Sequence, residues 1–476
     1  MILRRFFNEQ LAQASYLVAC DHSRLALIVD PNRNVAQYIE AAARDNFRIV
    51  AVTETHIHAD FVSGSRELAM RTAAQLYLSD AGSAEWKYAF AGEAGAEMLT
   101  DGSHFMVGDV RIDAVHTPGH TPEHMTFLVT DTGSANEPMG ALTGDFIFVG
   151  DVGRPDLLER AAGFEGTMEA GARQLFDSLR SFRTYPDYLQ IWPGHGAGSA
   201  CGKALGAMPQ STLGYEKLFN WALAEADEGR FVQQILSGQP EPPAYFARMK
   251  TTNRDNPATD PPALPDEVGA AEILAALADG ARVVDTRPAG EYAARHIEGT
   301  ISIPRNKSFL NWAGALLDYD SDAWFIAASG ENVRREIAAD LSLIGFDRIR
   351  GVAPPDQIDD LAKLGARLRG TRQTTVSEVS GRHDATILDV RGRGEFEEGH
   401  IPGALNIPLG ELERRINEVP AGNVAIHCQG GGRSAIAASI LQSHGRDDIA
   451  NLGGGFSEWE RSGNPVARGN REGADL

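Results

Sequence analysis

Two short stretches concentrate the side chains that could do chemistry. Residues 55–64 read THIHADFVSG and place His56, His58 and Asp60 within five positions, all of them metal-binding types. Phe61 follows, and its ring coordinates nothing. Far along the chain, residues 425–434 read AIHCQGGGRS. Here Cys428 ends an apolar run, Gln429, Gly430, Gly431, Gly432 and Arg433 form a glycine-rich loop, and Ser434 opens a helical pattern. Inward-facing backbone amides and a helix N-terminus both stabilise a thiolate, the reactive form of cysteine.

Three further loops carry ligand-type residues. HTPGHTPEH (116–124) holds His120, LTGDFIFVGDVGRPDLL (142–158) holds Asp145 and Arg154, and WPGHGAGSACGK (192–203) holds His195 and Cys201. Each follows an apolar run and is marked by Gly or Pro, so each reads as a loop at a strand end. Phe47 to Val52 is a strand-like run leading into the first of the four loops, and SRELAMRTAAQL after it reads as helix. Only three cysteines occur, Cys20, Cys201 and Cys428, too few and too scattered for a disulfide framework or a cysteine-rich zinc site. Cys20 sits in the apolar run YLVAC and reads as core. Cys201 has two readings, a thiol that carries or relays sulfur beside His195 and a small buried apolar residue.

A chain of 476 residues exceeds what one hydrophobic core organises, and 43% apolar with 23% charged residues gives each of several domains an ordinary core. The C-terminal half is a tandem repeat: DTRPAGEYAARHIEGTISIP (285–304) and DVRGRGEFEEGHIPGALNIP (389–408) match at a constant offset. Apolar runs before each Asp, then a second run, a loop and a helical pattern, predict small α/β domains with parallel sheets. TTNRDNPATDPPALPDE (251–267) reads as a linker. The expected division is therefore 1–250, a linker 251–267, and two domains at 268–370 and 371–476. A net charge of −21 argues against nucleic acid or an anionic membrane surface as partner. The N-terminal stretch lacks a signal-length apolar run, and no segment approaches the ~20 apolar residues of a membrane helix, so a cytoplasmic protein is expected.

In their order THxHAD, PGH, TGD and GH, the four loops resemble the metallo-β-lactamase superfamily over residues 1–245, which implies an αβ/βα sandwich with a metal site. That family's pattern runs HxHxDH, and Phe61 stands where its last residue helps hold a second metal. Within the family the chain is most similar to persulfide dioxygenases. The resemblance implies one Fe(II) on His56, His120 and Asp145, with His58, Asp60 and His195 orienting ligands or substrate, or only keeping the loop's shape. It places Arg154 near the site, on an anionic substrate or in the metal loop, with a structural salt bridge as the alternative. A zinc-dependent thioester hydrolase of glyoxalase II type remains the alternative function.

Residues 373–465, with DVR, GHIPGALNIP, HCQGGGRS and NLGGGFSEW, resemble the rhodanese family, which implies sulfane-sulfur transfer through a persulfide on Cys428. Four residues separate Cys428 from Arg433, one fewer than in the related cysteine phosphatases, and a loop of that size suits a sulfur better than a phosphate. In the first repeat copy Ala328 stands where Cys428 stands in the second, so that copy reads as a scaffold. The combined expectation is a bifunctional enzyme handling a low-molecular-weight thiol persulfide, O2 and sulfite or thiosulfate, as a dimer or tetramer. The thiol carrier, whether glutathione, coenzyme A, bacillithiol or another, stays open.

Overall fold

The computed structural model describes all residues except 158, 160–165, 204, 240, 256, 258–259, 382–384 and 470–476. Parts of the expected linker and the last residues of the expected fourth segment therefore lie outside the described residues. The chain divides into two units, Met1–Pro262 with Ser342–Gly345, and Ala263–Leu341 with Phe346–Leu476.

The first unit is built on two six-stranded sheets. One runs in the order β1 (Ile2–Asn8), β2 (Gln13–Cys20), β3 (Leu25–Val29), β4 (Arg48–Thr53), β5 (Gln75–Ser79) and β6 (Glu97–Leu99), antiparallel at first and parallel from β3 onward. The other holds β7 (His104–Val107), β8 (Val110–His116), β9 (Met125–Asp131), β10 (Gly140–Gly144), β11 (Gln190–Pro193) and β12 (Ser211–Thr212), parallel only between β10 and β11. Val18, Leu27 and Val29 of one sheet share a buried core with Ile112, Phe127 and Val129 of the other. On the outer faces, Tyr38 of α1 (Ala36–Arg44) and Leu68 of α2 (Ser65–Thr72) cover the first sheet, and Leu175, Phe176 and Leu179 of α3 (Thr167–Phe182) cover the second. Helix, sheet, sheet and helix are thus stacked in four layers, the sandwich that the loop order implies.

Two elements differ from the sequence reading. Helix α2 stops at Thr72, because Ala73 takes a left-handed conformation (φ 53°) and the remainder of SRELAMRTAAQL turns into β5, whose Leu76 and Leu78 alternate into the core. A helix, α4 (Phe246–Asp255), runs into the stretch read as linker. Its polar composition hides a buried stripe, with Phe246, Met249 and the hydrogen-bonded Asn253 all 1% exposed at helical spacing.

The second unit contains two parallel sheets, as the repeat predicts. The first copy orders β15 (Ile301–Ser302), β13 (Arg282–Asp285), β16 (Ala323–Ile326) and β17 (Ile349–Ala353), and β14 (His296–Ile297) pairs separately with β18 (Leu368–Arg369). The second copy orders β19 (Arg372–Thr374), β23 (Ile449–Leu452), β22 (Val424–His427), β20 (Thr386–Asp389) and β21 (Leu405–Asn406). The repeated motif builds the same structure twice: Arg287 pairs with Asp285 as Arg391 does with Asp389, and His296 stacks on Tyr292 as His400 does on Phe396, at 3.9 and 3.7 Å between ring centroids. Among the described residues, no helix is long and apolar enough to cross a membrane.

Candidate metal centre and cysteine loop

The loops that follow β4, β8, β10 and β11 bring their polar side chains together. His56, His120 and Asp145 each offer one ligand atom, and these atoms lie within 4.8 Å of one another. All three side chains are buried. His120 Nδ1 donates to the carbonyl oxygen of Arg154 at 2.9 Å, which leaves Nε2 as the free lone pair, 3.5 Å from Asp145 Oδ2. His56 is fixed similarly. The Thr55 hydroxyl gives its one hydrogen to Asp30 Oδ2 at 3.0 Å, so it accepts from His56 Nδ1 at 3.0 Å, and His56 Nε2 is free. Burial, reinforced by the neighbouring imidazoles, keeps His56 well below the usual histidine range, and burial pushes His120 down to about 4. Burial also pushes Asp145 up to about 6, and neither of its carboxylate oxygens has a hydrogen-bond partner. Neutral imidazoles facing a buried carboxylate form a donor set that could hold a divalent cation.

His58 points elsewhere. Its Nε2 lies 3.1 Å from Asp30 Oδ1, and its ring sits tilted between those of His56 and Phe61, with centroids 4.2 and 4.4 Å away. Burial opposes a charge on this ring, but the carboxylates of Asp30, Glu54 and Asp60 together outweigh it and raise His58 to about 9. Phe61 is fully buried. The loop is pinned from two sides. Asn253 of α4 donates to the carbonyls of His58 (2.8 Å) and Phe61 (2.7 Å) and accepts from Ser63 N (2.9 Å), while Glu123 Oε1 accepts from Ile57 N (2.8 Å). His124 lies beside the trio without joining it. Its Nδ1 meets Thr117 Oγ1, and its Nε2 accepts from Asp145 N at 3.2 Å.

A second set of donors adjoins the first. Asp60, His195 and Cys201 also offer ligand atoms within 4.8 Å of one another. His195 Nδ1 donates to Ala12 O at 3.0 Å, and its Nε2 faces Asp60 Oδ2 at 3.3 Å and Asp145 Oδ1 at 3.5 Å. Cys201 is buried, and burial together with the Asp145 and Asp60 carboxylates raises its thiol well above the usual range. Arg154 is fully buried and donates twice to Asp156 (2.7 Å each) and once to Ala200 O (3.2 Å). Its guanidinium is thus engaged with Asp156 and the Ala200 carbonyl beside the loop that carries Asp145. Gly153 is required beside it, because a Cβ there would collide with the carbonyl oxygen of Asp145.

In the second unit, Cys428 stands at the C-terminal end of β22 and is 2% exposed. Its Sγ accepts from Gly431 N at 3.1 Å, and Ser434 Oγ lies 3.6 Å away. With Arg393–Glu398 labelled α5 and Gly432–Ser443 labelled α6, Gly431 is left-handed (φ 102°) and α6 starts two residues earlier than the pattern from Ser434 predicts. The N-terminal end of α6 therefore lies directly at the sulfur. The NLGGGFSEW stretch supports the loop, with Phe456 N and Ser457 N donating to the carbonyls of Cys428 (2.8 Å) and Gln429 (3.0 Å). Gly455 is left-handed (φ 57°), and a Cβ there would strike the Cys428 carbonyl. Gln429 bridges Arg391 (3.1 Å) and Ser457 (2.9 Å), and Arg433 pairs with Glu395.

Comparison with known proteins identifies the folds that carry these two sites. Residues 9–195 match the metallo-beta-lactamase superfamily, and residues 269–352 and 373–462 match the rhodanese-like domain. The crystal structure of a metallo-beta-lactamase from Staphylococcus aureus subsp. aureus COL is 40% identical, with a TM-score of 0.67, covering 74% of this chain and 99% of that one. A sulfurtransferase of Allochromatium vinosum is 36% identical over 18% of this chain and 83% of its own length. The chain belongs to the metallo-beta-lactamase superfamily and carries two rhodanese-like domains. Protein YqhL of Bacillus subtilis strain 168 is 46% identical over 81 residues, 17% of this chain, which spans 64% of that relative.

In the first rhodanese-like domain Ala328 is exposed at the end of its strand, with no sulfur to present. In the metallo-beta-lactamase domain the sequence reading misses Asp30, Glu123 and Asn253. Asp30 had a signal, since it ends the apolar run LALIVD as a lone acid at a strand end.

Proposed function

We propose that the chain is a bifunctional sulfur-handling enzyme. Its metallo-beta-lactamase domain oxidises a low-molecular-weight thiol persulfide with O2, and its second rhodanese-like domain carries a sulfane sulfur on Cys428. The observation that supports the first half is the division of the metal loop: His56, His120 and Asp145 share one point, while His58 is turned onto Asp30 and Phe61 fills the next position. Two imidazoles and one carboxylate leave the other positions of an ion open, the set that suits non-haem Fe(II). Bound there, Fe(II) supplies the redox chemistry that lets O2 react with sulfur. In balance, a persulfide RSSH, O2 and water give the thiol RSH, sulfite and two protons. The protein's part is positional. Arg154 O and Thr55 Oγ1 hold the candidate ligand imidazoles in one tautomer, and Asp60 Oδ2 faces His195 Nε2 beside the trio.

At Cys428 the thiolate attacks the outer sulfur of thiosulfate, the S–S bond breaks, and sulfite leaves with the electron pair. The reverse reaction makes thiosulfate from the sulfite formed at the other site. Fusion raises the effective concentration of that shared product.

The Asp60, His195 and Cys201 set favours a second reading, in which a two-metal zinc site activates water for thioester cleavage. Metal analysis of protein purified without added metal separates the two. About one iron per chain supports the dioxygenase, and two zinc ions with thioester cleavage contradict it.

A further inference from the structure

Two arginines border the cysteine loop, and an acid holds each of them. Arg391 is locked to Asp389, with side chains 2% and 0% exposed. Arg433, the last residue of the loop, donates Nη1 to Glu395 Oε2 at 2.6 Å and Nη2 to Glu395 Oε1 at 2.7 Å. Glu395 lies in α5, and its Oε2 also accepts from Gly392 N at 3.1 Å, which fixes the carboxylate where Arg433 must come to it. Between Cys428 and Arg433 the loop is Gln429 and three glycines, with no cation of its own. An anion arriving at Cys428 therefore meets backbone amides and a pair whose charges already cancel.

The two pairs differ in reach. Arg433 and Glu395 are 23% and 40% exposed, so a solute can compete for the guanidinium, whereas it cannot reach Arg391. The first rhodanese-like domain supplies a contrast. Glu291 occupies the repeat position of Glu395, but Val333 replaces the arginine and Ala328 the cysteine, so the arginine is absent where the sulfur is absent.

We propose that Glu395 is a positioning residue that sets the donor preference of Cys428 by holding Arg433 in a bidentate pair, which an oxyanion such as the sulfonate end of thiosulfate must displace. The proposal rests on Cys428 being the sulfur carrier. In the transfer written above, sulfite is the leaving group, and its oxygens are the bidentate acceptors an arginine recognises. A persulfide on an uncharged carrier has no such oxygens and does not draw on Arg433.

The test compares wild type, Glu395→Gln, Arg433→Met and the double variant in steady-state transfer to cyanide, with thiosulfate or 2-hydroxyethyl persulfide as donor. Glu395→Gln is expected to lower KM for thiosulfate about three- to fivefold, the range of a partly exposed ion pair, and to move the persulfide KM by less than about twofold. Arg433→Met is expected to raise the thiosulfate KM and to cancel the gain in the double variant. Equal shifts for both donors, a raised thiosulfate KM in Glu395→Gln, or no effect of Arg433→Met would overturn the proposal. Should Glu395→Gln not fold, Glu395→Asp, which keeps the charge with a shorter reach, is expected to show the same donor-selective fall in KM, and a donor-independent change would overturn it. The underlying reading is checked separately by mass spectrometry. Wild type that gains no sulfur on Cys428 from either donor contradicts the carrier role itself, whatever Glu395→Gln does.

Discussion

Asp30 and His58 are bound across the first sheet, Oδ1 to Nε2 at 3.1 Å, and the same carboxylate accepts from Thr55 N at 2.6 Å and from the Thr55 hydroxyl that fixes His56. One buried acid thus turns one histidine away from the candidate metal position and orients the other toward it. Asp30→Asn is expected to weaken metal retention roughly 10- to 100-fold, the usual effect of removing a partner behind a ligand. Competition with a chelator measures it, and unchanged affinity would confine Asp30 to shaping the loop.

Asn253 makes three buried hydrogen bonds to the loop that carries His56 and His58. Asn253→Ala leaves those backbone groups unpaired, at a cost of about 3 kcal/mol in the stability of the first unit. Urea unfolding read by a probe in that unit, together with metal content, tests it. A loss well under 1 kcal/mol would show that water replaces the amide.

The four histidine and aspartate loops are legible in the sequence because their candidate ligands sit in short stretches at the ends of apolar strands. Their supports are not. Asp30 meets His58 across 28 positions and Asn253 across 195, and no local pattern records a pairing that only the folded sheet and α4 create. The cysteine loop is legible for the opposite reason, since strand, glycines and helix start are contiguous. Glu395 is missed there because it reaches Arg433 from 38 residues away.

Glu123 is fully buried, and burial pushes its carboxyl from 4.5 up to about 7. The folded protein thus holds this proton more tightly than the unfolded chain. The resulting stability is present below pH 4.5 and is lost as pH rises through about 7, a swing on the order of 3 kcal/mol. Glu123→Gln keeps an oxygen for Ile57 N and removes the titration. Its stability should change less than wild type's between about pH 4.5 and 7. Parallel profiles for the two proteins would contradict this assignment.

Cys428→Ser removes the sulfur that Gly431 N and the N-terminal end of α6 serve. Transfer from thiosulfate to cyanide should fall to background while persulfide-dependent O2 uptake stays at the wild-type rate. Loss of both would mean that the two sites do not work independently.

The central claim is that His56, His120 and Asp145 support oxidation of a persulfide sulfur. Oxygen-electrode recording with a panel of thiol persulfides, with sulfite measured at the end point, tests it most directly. The account predicts rapid uptake with one O2 consumed per sulfite formed, lost in His56→Ala. No persulfide-dependent uptake by protein that retains its metal and cleaves thioesters would contradict it.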